Sequence, residues 1–282
     1  MAKVALFADG AGDIPLEIVE KYNIGQLYGV ITIDSKEYID KLTITPLEMF
    51  DLAKTTKSLP KTSAVNSNQY IEAFKPYLDE GYEIVLINLS SQISMAHHNA
   101  LMVANEREDI YVVDSRSLSS GIAHLVIEAG ELRNKGCSAK EIYDVLLVLR
   151  DKVHATFILD TLEYMAAGGR CSTVTAFGAN ILGIKPCIEM DEIGKLQVVK
   201  KYRGNLTKVI PEYIKDQLTN MQGIRTDKIF ITYSSATPEV IKVARDAIEK
   251  IASFETIYET TASCTIATHC GPGTIGILFM EE

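Results

Sequence analysis

The chain has 282 residues, of which 47% are hydrophobic and 23% charged, and its formal net charge is −9 at neutral pH. This length fits one large domain or two smaller ones, and the hydrophobic fraction is enough for a packed core. The acidic balance, without a clustered stripe of lysine and arginine, excludes electrostatic attraction to nucleic acid or anionic membranes. No apolar stretch approaches the ~20 residues of a membrane span, so we expect no stable membrane insertion.

Short, continuous apolar runs predict buried strands along the whole chain. They cover residues 4–7, 84–89, 110–113, 157–159, 229–233 and 275–279. Helical patterns lie between them, at residues 15–23, 45–56, 67–81, 119–136, 138–153 and 237–254. Thr45, Pro46 and Glu48 form a capping box at the start of one helix. The alternation of strand and helix predicts an α/β fold with a parallel sheet covered on both faces.

The pattern changes after Phe157. Residues 188–190 and 196–199 flank a glycine-containing turn, as in a hairpin. We therefore predict an N-terminal, Rossmann-like domain over residues 1–160, with a parallel sheet and helices on both faces. Residues 161–282 form a second α/β domain with a mixed or antiparallel sheet, and the boundary is approximate.

The five cysteines are odd in number and scattered, so they do not form a disulfide framework. They fit reduced thiols in the cytoplasm, which is the location we predict. The first apolar run is too short for the core of a signal peptide.

Several chemistry-bearing motifs are incomplete. Gly10 and Gly12 follow the first strand, but Pro15 occupies the third glycine position of a dinucleotide fingerprint, which favours a plain polar turn. Asp9, just before them, is expected to help organise a site. The sequence contains neither a phosphate-binding loop nor the Gly-x-Ser-x-Gly elbow of a serine hydrolase. Cys264, His269 and Cys270 are spaced poorly for zinc.

Hydroxyl side chains are better candidates. Thr62 and Ser63 are predicted in a polar loop before a helix, and Ser94 precedes another helix just after a strand. Hydroxyls and free amides at a helix N-terminus favour an anion, and ligands of open α/β sheets bind beyond the strands' carboxyl ends. For Ser90 and Ser91, capping of the helix is the favoured interpretation.

Two further segments stand out. Gly168 and Gly169 end a predicted helix, and Arg170 beyond them can point at an anion or form an ordinary ion pair. The apolar residues 176–184 can form core, line a tunnel, or do both. Near the C-terminus, His269 lies on a glycine-rich turn before the last buried strand.

Seven motifs in this order resemble the pattern of the DegV family. They are ADGAGDIP, KTSAVN, SSQISMA, VVDSRS, LEYMAAGGRCS, GIKPCI and THCGPGTIG. The match spans essentially the whole chain, and the ordered set is far more specific than any single piece.

The resemblance implies a two-domain DegV-like fold and a lipid carrier rather than an enzyme. The ligand would be a long-chain fatty acid such as palmitate, stearate or oleate, presented to a fatty acid kinase subunit for conversion to acyl phosphate in phospholipid metabolism. No other cofactor and no metal are implied. By position, the carboxylate would be held by Thr62, Ser94, the amide of Met95 and His269. Around it or at the mouth of the cavity would lie Asp9, Ser63, Gly271, Arg170 and Arg203.

The chain departs from the family pattern at three places, one of which is Ala64-Val65 in place of the Gln-Pro that follows Thr-Ser. Met95-Ala96 replaces Gly-Thr, which would strain Met95 if that position required a positive φ. Asp9-Gly10 replaces Asp-Ser and removes a hydroxyl. The alternative function is a small-molecule hydrolase or transferase that uses His269 and Cys270.

Overall fold

The computed structural model describes residues 3–105, 107–175, 183–219 and 223–282. A parallel sheet of four strands, in the order β2-β1-β6-β7, forms the first layer. Its strands are β1 (Lys3–Asp9), β2 (Ile24–Leu27), β6 (Tyr82–Asn88) and β7 (Ile110–Asp114). Three of them correspond to predicted strands, and the short β2 was not predicted.

Helices cover both faces of this sheet, as predicted. One face packs on α1 (Leu16–Lys21), α5 (Ser120–Asn134) and α6 (Ala139–Leu149), and the other on α3 (Ser67–Asp79) and α4 (Ala96–Ala104). Alternate strand residues face opposite clusters: Leu6 points to α5, whereas Phe7 packs on Phe74 of α3. Two-sided burial explains why the strands are apolar without alternation.

A mixed sheet of six strands forms the second layer, in the order β10-β9-β8-β13-β11-β12. Only β11 and β12 pair in parallel. The strands are β8 (Val153–Ile158), β9 (Ile184–Met190), β10 (Leu196–Arg203), β11 (Lys228–Tyr233), β12 (Thr256–Thr261) and β13 (Ile275–Met280). The predicted hairpin is confirmed as β9 and β10. Helices α9 (Leu206–Thr219) and α10 (Pro238–Ile251) pack on one face.

Helix α5 lies between the two sheets and packs against β1 and β6 as well as β8 and β13. Most of its residues are buried. A helix covered on all sides requires this apolar character, which is why the segment shows little amphipathic contrast.

The division at residue 160 stays a prediction. The strand β8 lies on the N-terminal side of that division, yet it pairs with β9 and β13 in the second sheet. Strand pairing therefore favours a division before Val153.

A small antiparallel sheet, in the order β4-β3-β5, was not predicted. It consists of β3 (Val30–Ile33), β4 (Lys36–Ile39) and β5 (Lys61–Ser63), and it packs with α2 (Pro46–Thr56). The capping box of Thr45 and Glu48 at the start of α2 is confirmed. The prediction of a loop at Thr62 was wrong, because Thr62 lies on β5 and pairs with Ile31 of β3.

Three short helices complete the described chain: α7 (Glu163–Gly168), α8 (Ser172–Thr175) and α11 (Cys264–Cys270). Gly169 caps α7 in the left-handed conformation, with φ of 66°, as the paired glycines predicted. Residues 176–182 of the predicted tunnel segment lie outside the described residues. Among the described residues, no helix combines the length and apolar character that spanning a membrane requires.

Candidate functional site

A cavity of about 210 Å³ lies at the carboxyl ends of β1 and β6, where the small sheet, α4, α7 and α11 meet. Most of its lining is apolar. Several of the predicted residues supply its polar lining. The lining includes Asp9, Thr62, Ser63, Ser94, Met95, Arg170 and His269, together with Val65, Leu89, Ile93, Leu118, Met165, Leu196, Ile266 and Cys270.

Thr62 and His269 meet directly, although 207 positions separate them in sequence. The Oγ1 of Thr62 and the Nε2 of His269 are 3.0 Å apart and share a hydrogen bond. Thr62 is presented by β5, and His269 lies in the last turn of α11. The contact therefore joins the small sheet to the helix near the C-terminus.

The glycine turn after α11 fixes the end of that helix. Gly271 has φ of 78°, a conformation that side chains with a Cβ rarely adopt. The hydroxyl of Ser234 donates to the carbonyl of Gly271 at 2.7 Å, and the N–H of Gly273 donates to the carbonyl of Ser234 at 2.8 Å. Gly271 therefore holds the histidine's helix in place without lining the cavity itself.

Ser94 and Met95, at the start of α4, also line the cavity. The N–H of Ser94 donates to the carbonyl of Ser90 at 3.1 Å, and the hydroxyl of Ser94 accepts from the N–H of Ala96 at 3.1 Å. Met95 has φ of −81°, so replacing the family's glycine causes no backbone strain. The residue is 57% exposed, so its side chain is not part of the packed core.

Ser90 and Ser91 do not line the cavity. The hydroxyl of Ser90 donates to the carbonyl of Gly194 at 2.7 Å, in the turn between β9 and β10. The N–H of Ser91 donates to the carboxylate of Asp114 at 3.2 Å. These contacts hold the loop that leads to Ser94. The prediction that Ser90 and Ser91 cap the helix was wrong, because α4 begins only at Ala96 and its N-cap residue is Met95.

Burial, together with the positive charge of Arg170, lowers the pKa of His269 to about 4. The imidazole is therefore neutral at neutral pH in the empty cavity. Its Nδ1 is buried and has no hydrogen-bond partner among the described residues. A neutral imidazole beside a hydroxyl is suited to hydrogen-bonding an anion without carrying a permanent buried charge.

Asp9 is the acidic member of the lining. Its carboxylate accepts from the N–H of Ala11 at 3.0 Å and from the N–H of Leu89 at 3.4 Å, and burial raises its pKa. These bonds organise the turn at Gly10–Gly12, so Asp9 stabilises the cavity wall. Ser63 also lines the cavity and is exposed.

The two predicted arginines differ in position. Arg170 lines the cavity and also an adjoining cleft of about 280 Å³, and its Nη1 donates to the carbonyl of Gly168 at 2.7 Å. Arg203 is an exposed residue at the end of β10, where it pairs with Ile184, and it does not line either space. The structure therefore brings Arg170, but not Arg203, to the candidate site.

The family model described as "Uncharacterised protein, DegV family" matches residues 3–282. The chain belongs to the DegV family. A DegV domain-containing protein of Listeria monocytogenes is 30% identical over 288 residues, with 100% of both chains covered. One from Clostridium acetobutylicum is 27% identical over 286 residues, again with both chains fully covered.

Solved DegV structures share the fold. A fatty-acid-binding DegV protein from Thermus thermophilus has a TM-score of 0.90 at 24% identity, covering 99% of this chain and 100% of that one. A DegV protein from Eubacterium eligens, loaded with heptadecanoic acid, has a TM-score of 0.85 at 20% identity, with 99% and 100% covered.

In this DegV protein, Cys270 is a poor candidate for a nucleophile. Its side chain is 5% exposed, and burial raises the pKa of the thiol to about 12. The reactive thiolate is therefore scarce at neutral pH. The Nε2 of His269 is bonded to Thr62. The alternative of a thiol hydrolase or transferase is not favoured by this geometry.

A second cavity, of about 20 Å³, continues from the first. Leu118, Ile266 and Cys270 line both spaces. The second space runs toward the six-stranded sheet, where Phe157 and Leu278 lie at its wall. The three shared lining residues place this small apolar cavity directly beside the first one.

The sequence prediction missed two residues that position the histidine. A Cβ on Gly168 would lie 2.3 Å from the Nδ1 of His269, so only glycine permits this approach. Asp40 accepts hydrogen bonds from the first turn of α11. The paired glycines were a visible signal for Gly168, whereas nothing local distinguishes Asp40 from a surface aspartate.

Proposed function

We propose that this protein binds a long-chain fatty acid, with the carboxylate held by Thr62, Ser94, the amide of Met95 and His269. The observation that carries the proposal is the Thr62–His269 hydrogen bond at the polar wall of an otherwise apolar cavity that also includes Ser94. Saturated and monounsaturated chains such as palmitate, stearate and oleate are candidate ligands.

The tail would provide most of the affinity. Each buried CH₂ is worth about 0.8 kcal/mol, so a ~16-carbon chain offers on the order of 10 kcal/mol before the costs of binding. The route would pass between Leu118 and Ile266 toward Phe157, from the first cavity into the smaller one beside it.

The head group would provide orientation. Hydroxyl and amide donors to a carboxylate form charge-assisted bonds, each worth about 1.5–3 kcal/mol. The carboxylate would also favour the protonated form of His269 and raise its pKa from the low value of the empty cavity. Only an acid, and not a neutral lipid of the same length, makes all of these contacts.

The related structures support this ligand class. The Thermus thermophilus protein binds fatty acid, and the Eubacterium eligens protein is loaded with heptadecanoic acid. Both share the fold of this chain over nearly its full length.

We further propose that the protein is a carrier and not an enzyme, and that a partner fatty acid kinase converts the bound acid to acyl phosphate. The kinase would supply ATP and Mg²⁺, since the chain has no phosphate-binding loop of its own. The cleft beside His269, lined by Lys61 and Arg170, would admit the transferred phosphate. We place this reaction in the cytoplasm, whose reducing conditions also fit the five free cysteines.

The first experiment is native mass spectrometry of the purified protein, followed by lipid extraction. We expect a bound species with the mass of a long-chain fatty acid. A protein that carries no lipid and does not bind added palmitate or oleate contradicts the proposal.

Substitution then tests the polar wall. Thr62→Val combined with Ser94→Ala removes two hydroxyls, and we expect palmitate affinity to fall by about a hundredfold, which corresponds to ~3 kcal/mol. Affinity is measured by displacement of a fluorescent fatty acid, with 1-hexadecanol as the ligand that lacks a carboxylate. Hexadecanol binding should change little.

The matched control is Ser91→Ala, because Ser91 lies in the same loop but outside the cavity. It should bind both ligands as the wild type does. Equal losses for palmitate and hexadecanol in the double variant contradict the assigned roles of Thr62 and Ser94.

A further inference from the structure

The helix that carries His269 is anchored at its other end by two buried carboxylates. The N–H of Ser263 donates to Asp13 at 2.7 Å, and the N–H of Cys264 donates to Asp40 at 2.8 Å. The N–H of Thr265 donates to Asp40 at 2.8 Å, and its hydroxyl does so at 2.5 Å. The first amides of a helix have no acceptor within the helix, so these carboxylates satisfy them.

Asp40 is placed for this role by the small sheet. It follows β4, its N–H donates to the carbonyl of Gly29 at 3.1 Å, and the residue is 1% exposed. A buried carboxylate is costly unless its oxygens are bonded, and both oxygens of Asp40 bind α11.

The small sheet therefore contacts α11 at both ends. Asp40 binds the first turn, and Thr62 on β5 binds His269 in the last turn. Between them, Ile31 and Met49 pack with Ala267 in one apolar cluster. The helix is only seven residues long, roughly 10 Å, so a shift at its start moves the imidazole as part of the same rigid segment.

We propose that Asp40 is a positioning residue, which acts through α11 to hold the imidazole of His269 at the carboxylate of the bound fatty acid. This rests on the proposed function. Asp13 supports the same turn: it accepts from the hydroxyl of Ser119 at 2.6 Å and lies 3.5 Å from the ammonium group of Lys41. Asp40 differs because it binds two residues of the helix and belongs to the sheet that carries Thr62.

Asp40→Asn is the sharpest variant, since it keeps the shape but replaces one acceptor oxygen with an NH₂ group that faces a donor. We expect palmitate affinity to fall about tenfold, as for one misplaced charge-assisted hydrogen bond, and hexadecanol affinity to change by less than about twofold. A general loss of stability would weaken both ligands alike, so the ratio of the two affinities is the readout.

Asp109→Asn is the control. Asp109 directly precedes β7. It therefore lies at the amino ends of the strands, whereas the cavity lies at their carboxyl ends, and its carboxylate accepts a hydrogen bond from Arg107 at 2.7 Å. This variant should keep the wild-type preference for palmitate.

A milder pair of variants covers the case in which Asp40→Asn does not fold. Thr265 also lines the cavity, but its hydroxyl donates its only hydrogen to Asp40 and has none to donate to a ligand. Thr265→Val removes that hydroxyl, and we expect a selective loss of palmitate affinity of about threefold. Thr265→Ser keeps that hydroxyl and should restore the preference.

The outcomes separate the two proposals. A wild-type protein that binds palmitate no better than hexadecanol contradicts the proposed function, and with it the role of Asp40. If Asp40→Asn or Thr265→Val keeps the wild-type preference for palmitate, only the role of Asp40 is overturned. The same holds if the affinities for palmitate and hexadecanol fall by equal factors.

Discussion

Gly168 is the residue that leaves room for the imidazole of His269. A Cβ at this position would lie 2.3 Å from the Nδ1, closer than real Cβ contacts come, so in Gly168→Ala the ring or α7 must shift and the contact with Thr62 is disturbed. We expect palmitate affinity to fall by about tenfold or more, since the ring loses its bond to Thr62 and its place at the carboxylate. Hexadecanol affinity should change much less.

Gly130→Ala is the matched control for this change. Gly130 lies in α5, away from the cavity. The substitution also adds a methyl group to a helix glycine, and the new Cβ would lie 2.3 Å from the ring of Tyr22. This variant should lose stability and keep the preference for palmitate. A Gly168→Ala protein with unchanged preference would show that the ring position does not matter for binding.

At the scale of elements, the proposed tail route passes the junction between α11 and the loop before α5. Ile266 and Leu118 line both cavities. Ile266→Phe narrows this passage, so we expect palmitate to lose affinity while octanoate, which ends near the first cavity, loses little. At about 0.8 kcal/mol per CH₂, exclusion of two CH₂ groups costs roughly tenfold.

Val240→Phe provides the comparison, because Val240 is buried on α10 in the cluster on the other face of the six-stranded sheet. Overpacking there should lower stability without altering the preference for chain length. The affinities of both variants for fatty acids of different lengths are measured by displacement. If the two variants show the same dependence of affinity on chain length, the proposed tail route is contradicted.

The elements that build the cavity were predictable to different degrees. The long apolar strands and the capping box at Thr45 are local signals, and they were found from sequence. The strands β2, β3 and β4 have four residues each, too few for their pattern to stand out. Missing them also misplaced Thr62 in a loop, because its strand is defined only by pairing with β3.

At the scale of the whole molecule, the buried histidine links stability to pH. The pKa of His269 is about 4 in the folded protein and about 6.5 when exposed, so the unfolded chain binds more protons between these values. The free energy of unfolding should therefore fall as pH decreases from 6.5 to 4. His269→Gln cannot be protonated, and we expect it to show a smaller decrease in that window.

Urea denaturation at several pH values measures this difference. The raised pKa values of Asp9 and Asp13 act in the opposite direction, but they are common to both proteins and cancel in the comparison. His98→Gln, at an exposed position on α4, is the control and should follow the wild type. Parallel curves for wild type and His269→Gln would contradict the burial of a neutral imidazole.

The sequence was enough to name several residues that line the candidate cavity, but not the contacts that position them. The ordered motifs identified Thr62, Ser94 and His269, and the structure brings them to one cavity. The supports of α11 come from distant parts of the chain, and Asp40 lies 224 positions from Cys264. Such contacts leave no local pattern. Arg203, which the resemblance assigned to the mouth, lines neither the cavity nor the adjoining cleft.

A crystal structure of the protein with palmitate tests most directly whether the carboxylate lies among Thr62, Ser94 and His269. We predict carboxylate oxygens within hydrogen-bond distance of the Ser94 hydroxyl and the Thr62–His269 pair, with the tail between Leu118 and Ile266. A tail that enters with the opposite orientation, or a ligand bound outside this cavity, would contradict the account.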